Sequence, residues 1–413
     1  MKDLSESKFN YIIGNPPYNA SGIVCREKHQ KFYNELGAGG KHGSLAFLMK
    51  GLDKLKPGGS VIYIIPTNGM VLNGSKGFRE YVKKTNGSIV DLWVTNKDVF
   101  RNKETNKLEA CIQGNTFIIK IEKTPNKNVS ITTEYSNGLE FKTTTNYSLY
   151  GTEYYPLCLS ESCEIVLNKC INGKEISLEK YLIKGGHNNI SNNKIYEKIK
   201  DDYKSTTKVK CCDEDMFEIK STSIEDMHNT VQDKNISEKD IFDVEFVSEP
   251  NYENERKNSF KKVMAKLNRG QNIHYGWSSV NDPDERSKGW KVVFSPICKV
   301  KEIMQYGKVS TGLLEPDVMV QQNYSYFSFC SREHAEYFIK YLSHPLFVIS
   351  LIQLFDNAYI NSSNIGRLTI PPYKEFNDTK DFERYVWDYY KIDSQDEQNV
   401  NKIYNDILRS ENQ

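Results

Sequence analysis

Asn15-Pro16-Pro17-Tyr18 is the tetrapeptide of this sequence whose residue types and order are best suited to chemistry. An Asn side-chain oxygen and a neighbouring backbone carbonyl can together accept two N–H bonds from one amine, which favours a pyramidal nitrogen and exposes its lone pair. That assistance matters for an amine conjugated with an aromatic ring, such as the exocyclic amine of adenine, which is a weak nucleophile toward a methyl donor. The two prolines restrict the backbone so that both acceptors converge on one point. An aromatic ring at the fourth position is placed to stack on a base rotated out of its helix.

Such a loop needs a rigid support, and the flanking sequence supplies one. Phe9–Gly14 is a short β-rich run, and two consecutive prolines cannot continue a ladder, so a strand is predicted to run straight into the loop. Leu45, Phe47, Leu48, Leu52 and Leu55 recur at helical spacing, after which Lys56-Pro57-Gly58-Gly59 stops the helix. Residues 60–66, SVIYIIP, are almost wholly apolar, as expected of a strand covered on both faces in a parallel sheet. A helix over 78–84 and strands over 89–94 and 115–121 follow. This alternation predicts an α/β fold, half of a doubly wound sheet. After Pro125 the sequence turns polar and rich in Asn and Lys. There the pattern predicts a helix over 252–267, a strand over 291–294, a helix over Arg332–Leu342 and a final helix over 400–408. The 413 residues divide on this reading into 1–125, 126–375 and a helical segment 376–413, since single domains usually hold about 100–200 residues.

YIIGNPPY followed by a helix, LKPGG, a strand ending in Pro and then VTNKDVF resembles the γ-class adenine-N6 DNA methyltransferases, above all the type IIG restriction-modification methylases. The resemblance implies a partial Rossmann-like methyltransferase sheet, S-adenosyl-L-methionine as methyl donor, double-stranded DNA as partner and the adenine amine as target. Carried over by position, Asn15 and Pro16 hold the amine, Pro17 braces the loop and Tyr18 stacks on the flipped adenine, with Phe100 as a second wall of the base pocket. The stretch from about Tyr150 to Lys374 ends in NSSNIGRL and Ile370-Pro371-Pro372. It resembles the target-recognition region of these enzymes, here an α+β domain.

The same resemblance places a glycine-rich cofactor turn on the amino-terminal side of the NPPY loop, where this sequence has fourteen residues. The cluster Gly37-Ala38-Gly39-Gly40-Lys41-His42-Gly43 follows no strand and lacks the GxGxxG and GxxxxGK[ST] spacings, so it reads as a loop. The expectation is a catalytic half whose Phe9–Gly14 strand would expose an apolar edge. A second polypeptide carrying the cofactor-binding strands would cover that edge and complete the S-adenosyl-L-methionine pocket.

For DNA contacts, the helix predicted around 252–269 carries Arg256, Lys257, Lys261, Lys262, Lys266 and Arg269. Lys257, Lys261, Lys262 and Lys266 fall at i, i+4 spacings on one face suited to phosphates, although solvated helix faces look alike. Gln271, Asn272, His274, Tyr275 and Trp277 follow, offering groups suited to base edges or stacking. With 55 Lys+Arg against 54 Asp+Glu, the formal charge of +1 excludes binding of polyanions by bulk charge, so any nucleic-acid surface is local. No apolar run approaches the roughly 18 residues of a membrane span. The start MKDLSESKFN lacks a signal-peptide layout, and a cytoplasmic protein is expected. Nine cysteines at irregular spacing read as reduced, with Cys158, Cys163, Cys170, Cys211 and Cys212 read as buried thiols in preference to a zinc site, and no HExxH pattern marks a metal site. Pro283-Asp284-Glu285-Arg286-Ser287-Lys288 has the letters of a PD…(D/E)xK nuclease without the separation of its acidic groups, so no cleavage is assigned. A rival reading is a non-catalytic DNA-specificity or scaffold subunit. Loops of this type also serve methyl transfer to RNA or to a glutamine amide, but the long polar second domain favours DNA.

Overall fold

The computed structural model describes residues 8–16, 34, 43–66, 76–95, 116–135, 138–147, 155–172, 176–183, 206–210, 216–220, 261–267, 273–278, 289–294, 303, 309–322, 324–354 and 365–411. They fall into two compact units. One comprises Met1–Ser177, Ile297–Lys308 and Ser343–Gln413, and the other Leu178–Pro296 and Val309–Leu342.

The first unit is built on a mixed six-stranded sheet. Its strands are β1 (Phe9–Gly14), β2 (Leu55–Pro66), β3 (Ser88–Thr95), β4 (Thr116–Glu122), β5 (Val129–Glu134) and β6 (Glu140–Thr145), in the order β1-β2-β4-β3-β5-β6. β1 and β2 are parallel, as are β3 and β5, while β4 is antiparallel to both of its neighbours and β6 to β5. Strands β1, β2, β3 and β5 therefore run one way, with β4 and β6 reversed. Between β1 and β2, helix α1 (Gly43–Lys54) buries Leu45, Leu48, Met49 and Leu52 completely, each contributing about 1.5–3 kcal/mol. The Lys8 Nζ donates to the Asp53 carbonyl at 2.8 Å, and the Lys123 Nζ to those of Leu52 and Leu55 at 3.3 and 3.1 Å. Cations are favoured at this negative end of a helix. Burial, with the Lys8 charge nearby, lowers the Lys123 pKa. Helix α2 (Lys76–Lys84) follows β2 and buries Phe78, Arg79, Tyr81 and Val82.

The two sheet faces differ. Val61, Ile65, Leu92, Val94, Phe117, Ile119, Ile121, Val129 and Ile131 are buried on one face. The α1 residue Gly51 lies against Val61 on that face, and helix α3 (Glu161–Asn172) bonds to it through Glu164 and Thr145. On the other face, register aligns Ile13 with Ile62, Lys120, Asp91 and Ser130, and Ile64 with Ile118, Trp93 and Thr132. There Tyr11, Ile13 and Trp93 are 71%, 75% and 39% exposed. The apolar run 60–66 thus buries Val61 and Ile65 fully on one face and is less completely covered on the other. Its Ile62 and Ile64 remain half-buried on the open side.

The second unit contains strands β7 (Lys261–Leu267), β8 (Ile273–Ser278), β9 (Trp290–Phe294), β10 (Thr311–Leu314), β11 (Met319–Val320) and β12 (Ser325–Phe329), with helix α4 (Arg332–Leu342). β9 pairs with β10 and β12, and Phe327 and Phe329 meet Phe338 of α4 at ring-centroid distances of 4.6 and 5.1 Å. Buried Lys291 donates to the carbonyls of Gly289, Glu315 and Pro316, which helps to satisfy its ammonium. Residues 261–267, expected as the end of a basic helix, instead form β7, antiparallel to β8 and parallel to β11. Met264 and Leu267 are drawn into an apolar cluster with Val293, Leu314, Val318, Val320 and Tyr326. That burial outweighs the weak helical preference of the run.

Back in the first unit, helices α5 (Pro345–Gln353), α6 (Thr379–Tyr389) and α7 (Ser394–Glu411) complete a helical layer with α3. The Gln353 Nε2 donates to the carbonyls of Cys163 and Ile349, and Asn399 donates to Ser162. The short strand Thr369–Ile370, just before Pro371-Pro372, pairs with Ile176–Ser177. The chain is thereby clasped on both sides of the intervening segment.

Candidate active site at the end of the first strand

The site is assembled from the ends of parallel strands. Burial alternates along 11–16: Tyr11, Ile13 and Asn15 are exposed, Ile12 and Gly14 half-buried, and Pro16 buried. Asn15 thus follows Tyr11 and Ile13 on the open side of the chain, and the buried Pro16 anchors the position directly after it. β2 ends at Pro66 and β3 at Thr95, both opposite Thr116 of β4, so the segments leaving these strands start from one edge of the sheet. The Oγ1 atoms of Thr95 and Thr116 lie 2.7 Å apart, and Thr95 Oγ1 also donates to the Thr116 carbonyl at 3.2 Å. This buried pair pins the edge. In open α/β sheets, ligands bind at the carboxyl ends of parallel strands.

Beneath Asn15 lies Tyr63 of β2, paired in register with Gly14. A Cβ at position 14 would come within 3.2 Å of the Tyr63 Cε1, and a Cβ at Gly51 within 3.5 Å of its hydroxyl. The ring therefore spans from the last residue of β1 to α1, and burial raises its phenol pKa. Tyr63, Thr95 and Thr116 carry no motif. The one available signal is a hydroxyl-bearing ring inside the otherwise aliphatic run VIYII.

Of the residues expected from sequence, Asn15 and Pro16 are placed here, whereas Pro17, Tyr18 and Phe100 lie outside the described residues. Lys257, Arg269 and Asn272 also lie outside them, as do the glycine cluster's residues 37–42. Lys261, Lys262 and Lys266 belong to β7 and His274 to β8, so no helix face unites the lysines. A hairpin takes its place: Lys266 pairs with His274 and Lys262 with Trp277, and the two strands are joined by 268–272, NRGQN. A five-residue connection containing Gly is a hairpin signal that the sequence offered. Cys158, Cys163 and Cys170 are buried, and burial pushes the Cys163 thiol up to about 12. Among the described residues no cluster of three His, Cys, Asp or Glu is placed to hold a metal, and no helix is long and apolar enough to cross a membrane.

No curated protein matches the chain by sequence. The type IIL restriction-modification enzyme MmeI, solved in complex with DNA, matches with a TM-score of 0.53 at 8% identity, over 97% of this chain and 57% of that one. This likeness is one of fold. The type IIG restriction endonuclease BpuSI matches with a TM-score of 0.31 at 11% identity, over 97% of this chain and 53% of that one. The chain spans about half the length of these proteins. Residues 2–100, which hold β1, Asn15 and Pro16, match the Eco57I restriction-modification methylase family.

Proposed function

We propose that this chain is the catalytic and target-recognition part of a site-specific DNA adenine-N6 methyltransferase, with the cofactor-binding strands supplied by a second polypeptide. The observation that carries the reading is Asn15, exposed at the carboxyl end of β1 with buried Pro16 behind it, within the segment that matches a methylase family. The Asn15 side-chain oxygen and the Pro16 carbonyl accept the two N–H bonds of an extruded adenine. Pro17 braces the loop, and Tyr18 and Phe100 hold the base between rings. This arrangement directs the lone pair of the amine outward and excludes water from it. S-adenosylmethionine, when bound, supplies an electrophilic methyl group, and the transfer needs neither a covalent enzyme intermediate nor a metal.

The pocket for the methyl donor is assigned to the partner, as the family resemblance of the sequence implies. The place of β1 at the edge of the described strands, with Tyr11 and Ile13 exposed, supports that assignment. α1 lies on the closed face, as a right-handed crossover from β1 to β2 requires. Parallel strands winding outward from the free edge of β1 would, by the same rule, put their helices on the open face. Tyr11, Ile13, Ile62, Ile64, Ile118 and Trp93 lie on that face, with Lys120 and Asp91 in register beside Ile62, whereas β5 and β6 present Ser130, Thr132, Lys142 and Thr144 there.

Within the segment 126–375 assigned to DNA recognition, the β7–β8 hairpin replaces the basic helix as the proposed reading element, since a two-stranded ribbon fits the major groove. It carries Lys261, Lys262, Lys266 and His274, with Arg269 and Asn272 in its connection. Replacing Asn15 with Ala tests the central claim. Methylation of DNA falls by at least about 10²-fold while DNA binding is retained. Unchanged methylation would overturn the catalytic reading in favour of a scaffold subunit.

A further inference from the structure

We propose that Tyr63 is a positioning residue for Asn15, an inference that rests on the methyltransferase reading above. Gly14 is the residue immediately before Asn15 and the last of β1, and without a Cβ its torsion angles are the freest in the strand. The Tyr63 ring edge supplies the restraint: Cε1, Cδ1 and Cζ stand 3.2, 3.6 and 3.8 Å from where a Cβ on Gly14 would sit. The far end of the ring reaches α1, with its hydroxyl 3.5 Å from the corresponding point on Gly51. Glycines at 14 and 51 thus leave one slot that the ring fills, and the slot ties the start of the Asn15–Pro16 loop to the buried helix. An alanine at 14 would push the ring edge away. Loss of the ring would leave Gly14 unsupported, so that the two amine acceptors no longer converge. A misplacement of about 1 Å at such a point costs about 10²-fold in rate.

The test uses the full chain in its active assembly, with tritium transfer from S-adenosylmethionine to DNA measured per folded molecule. Tyr63→Phe keeps the ring and retains kcat within about 2-fold. Tyr63→Ala lowers kcat by about 10²-fold with KM for DNA changed less than about 3-fold. Gly14→Ala reads the same contact from the other side, so the proposal stays testable if Tyr63→Ala fails to fold. In the double variant the two losses are markedly less than multiplicative, because each single change breaks the same contact. A Tyr63→Ala enzyme with wild-type kcat, a loss confined to KM, or fully multiplicative losses would each overturn the inference. Activity that survives Asn15→Ala would instead overturn the underlying reading, whatever the Tyr63 variants do.

Discussion

His344 caps α5 as a neutral imidazole. Its Nδ1 accepts from the Leu346 N–H at 3.2 Å, and the ring packs edge-on against Trp387 at 5.0 Å. Burial lowers its pKa to about 3, against a smaller opposing influence of the Glu383 backbone. Because the folded pKa lies below the unfolded value, near 6.5, this residue's contribution to stability is complete above about pH 6.5 and is lost as pH falls toward 3. Between pH 7 and 5 the loss is about 2 kcal/mol. His344→Asn retains an acceptor for the helix cap and removes the proton, so its urea midpoint, followed by tryptophan fluorescence, falls less over that interval. Equal pH dependence in the two proteins would exclude the assignment. The contrast with Asn15 shows what is legible in a sequence at this scale. Asn15 stands in a rare local pattern whose chemistry can be argued from adjacent residues. The burial that sets the pKa of His344 involves Glu383 and Trp387, 39 and 43 positions away, and Tyr63 takes its role from Gly51 and Gly14, 12 and 49 positions away, which no spacing encodes.

At the scale of elements, the β1–α1–β2 unit is legible because periodicity, a helix stop and an apolar run agree. What the sequence did not reveal is how β2 begins. The strand starts directly at Leu55, and register with β1 skips from Phe9–Leu55 to Tyr11–Ser60. Gly58 takes φ +76 and its N–H donates to the Lys123 carbonyl at 3.0 Å. A Cβ at Gly59 would lie 2.9–3.0 Å from the carbonyl oxygens of Asn10, Lys56 and Phe9. The two glycines therefore fail differently. Gly59→Ala clashes with backbone that cannot yield and costs about 1–3 kcal/mol, whereas Gly58→Asn meets open space in a conformation Asn tolerates and costs less than about 1 kcal/mol. Thermal unfolding of the two variants checks the order, and equal stabilities would refute the steric account. The β7 misreading has the opposite origin. Lysines at i, i+4 suggested a helix face, but Met264 and Leu267 belong to a core made by residues up to 62 positions away, and long-range burial overrides local spacing.

At the scale of the whole molecule, β1 is the edge strand of the described sheet. An edge strand with Tyr11 and Ile13 exposed is a template for aggregation where no other chain covers it, and the face next to it combines Ile62, Ile64, Ile118 and Trp93 with Lys120 and Asp91. If a second polypeptide docks there with the cofactor strands, binding of S-adenosylmethionine and sealing of this surface are a single event. Calorimetry on the purified chain alone then detects no binding of S-adenosylmethionine at micromolar affinity, and binding appears when the chain is co-purified with its partner. Ile13→Lys and Tyr11→Lys place charge on the surface without touching Asn15. Each abolishes co-purification and cofactor binding together, while the midpoint of unfolding of the isolated chain moves little, since both side chains are already exposed. Micromolar binding by the chain alone would reject the split arrangement and send the search for the donor pocket to the glycine cluster Gly37–Gly43. Loss of cofactor binding in the Ile13→Lys assembly with the partner still attached would separate the two events and assign Ile13 to the pocket instead of the interface.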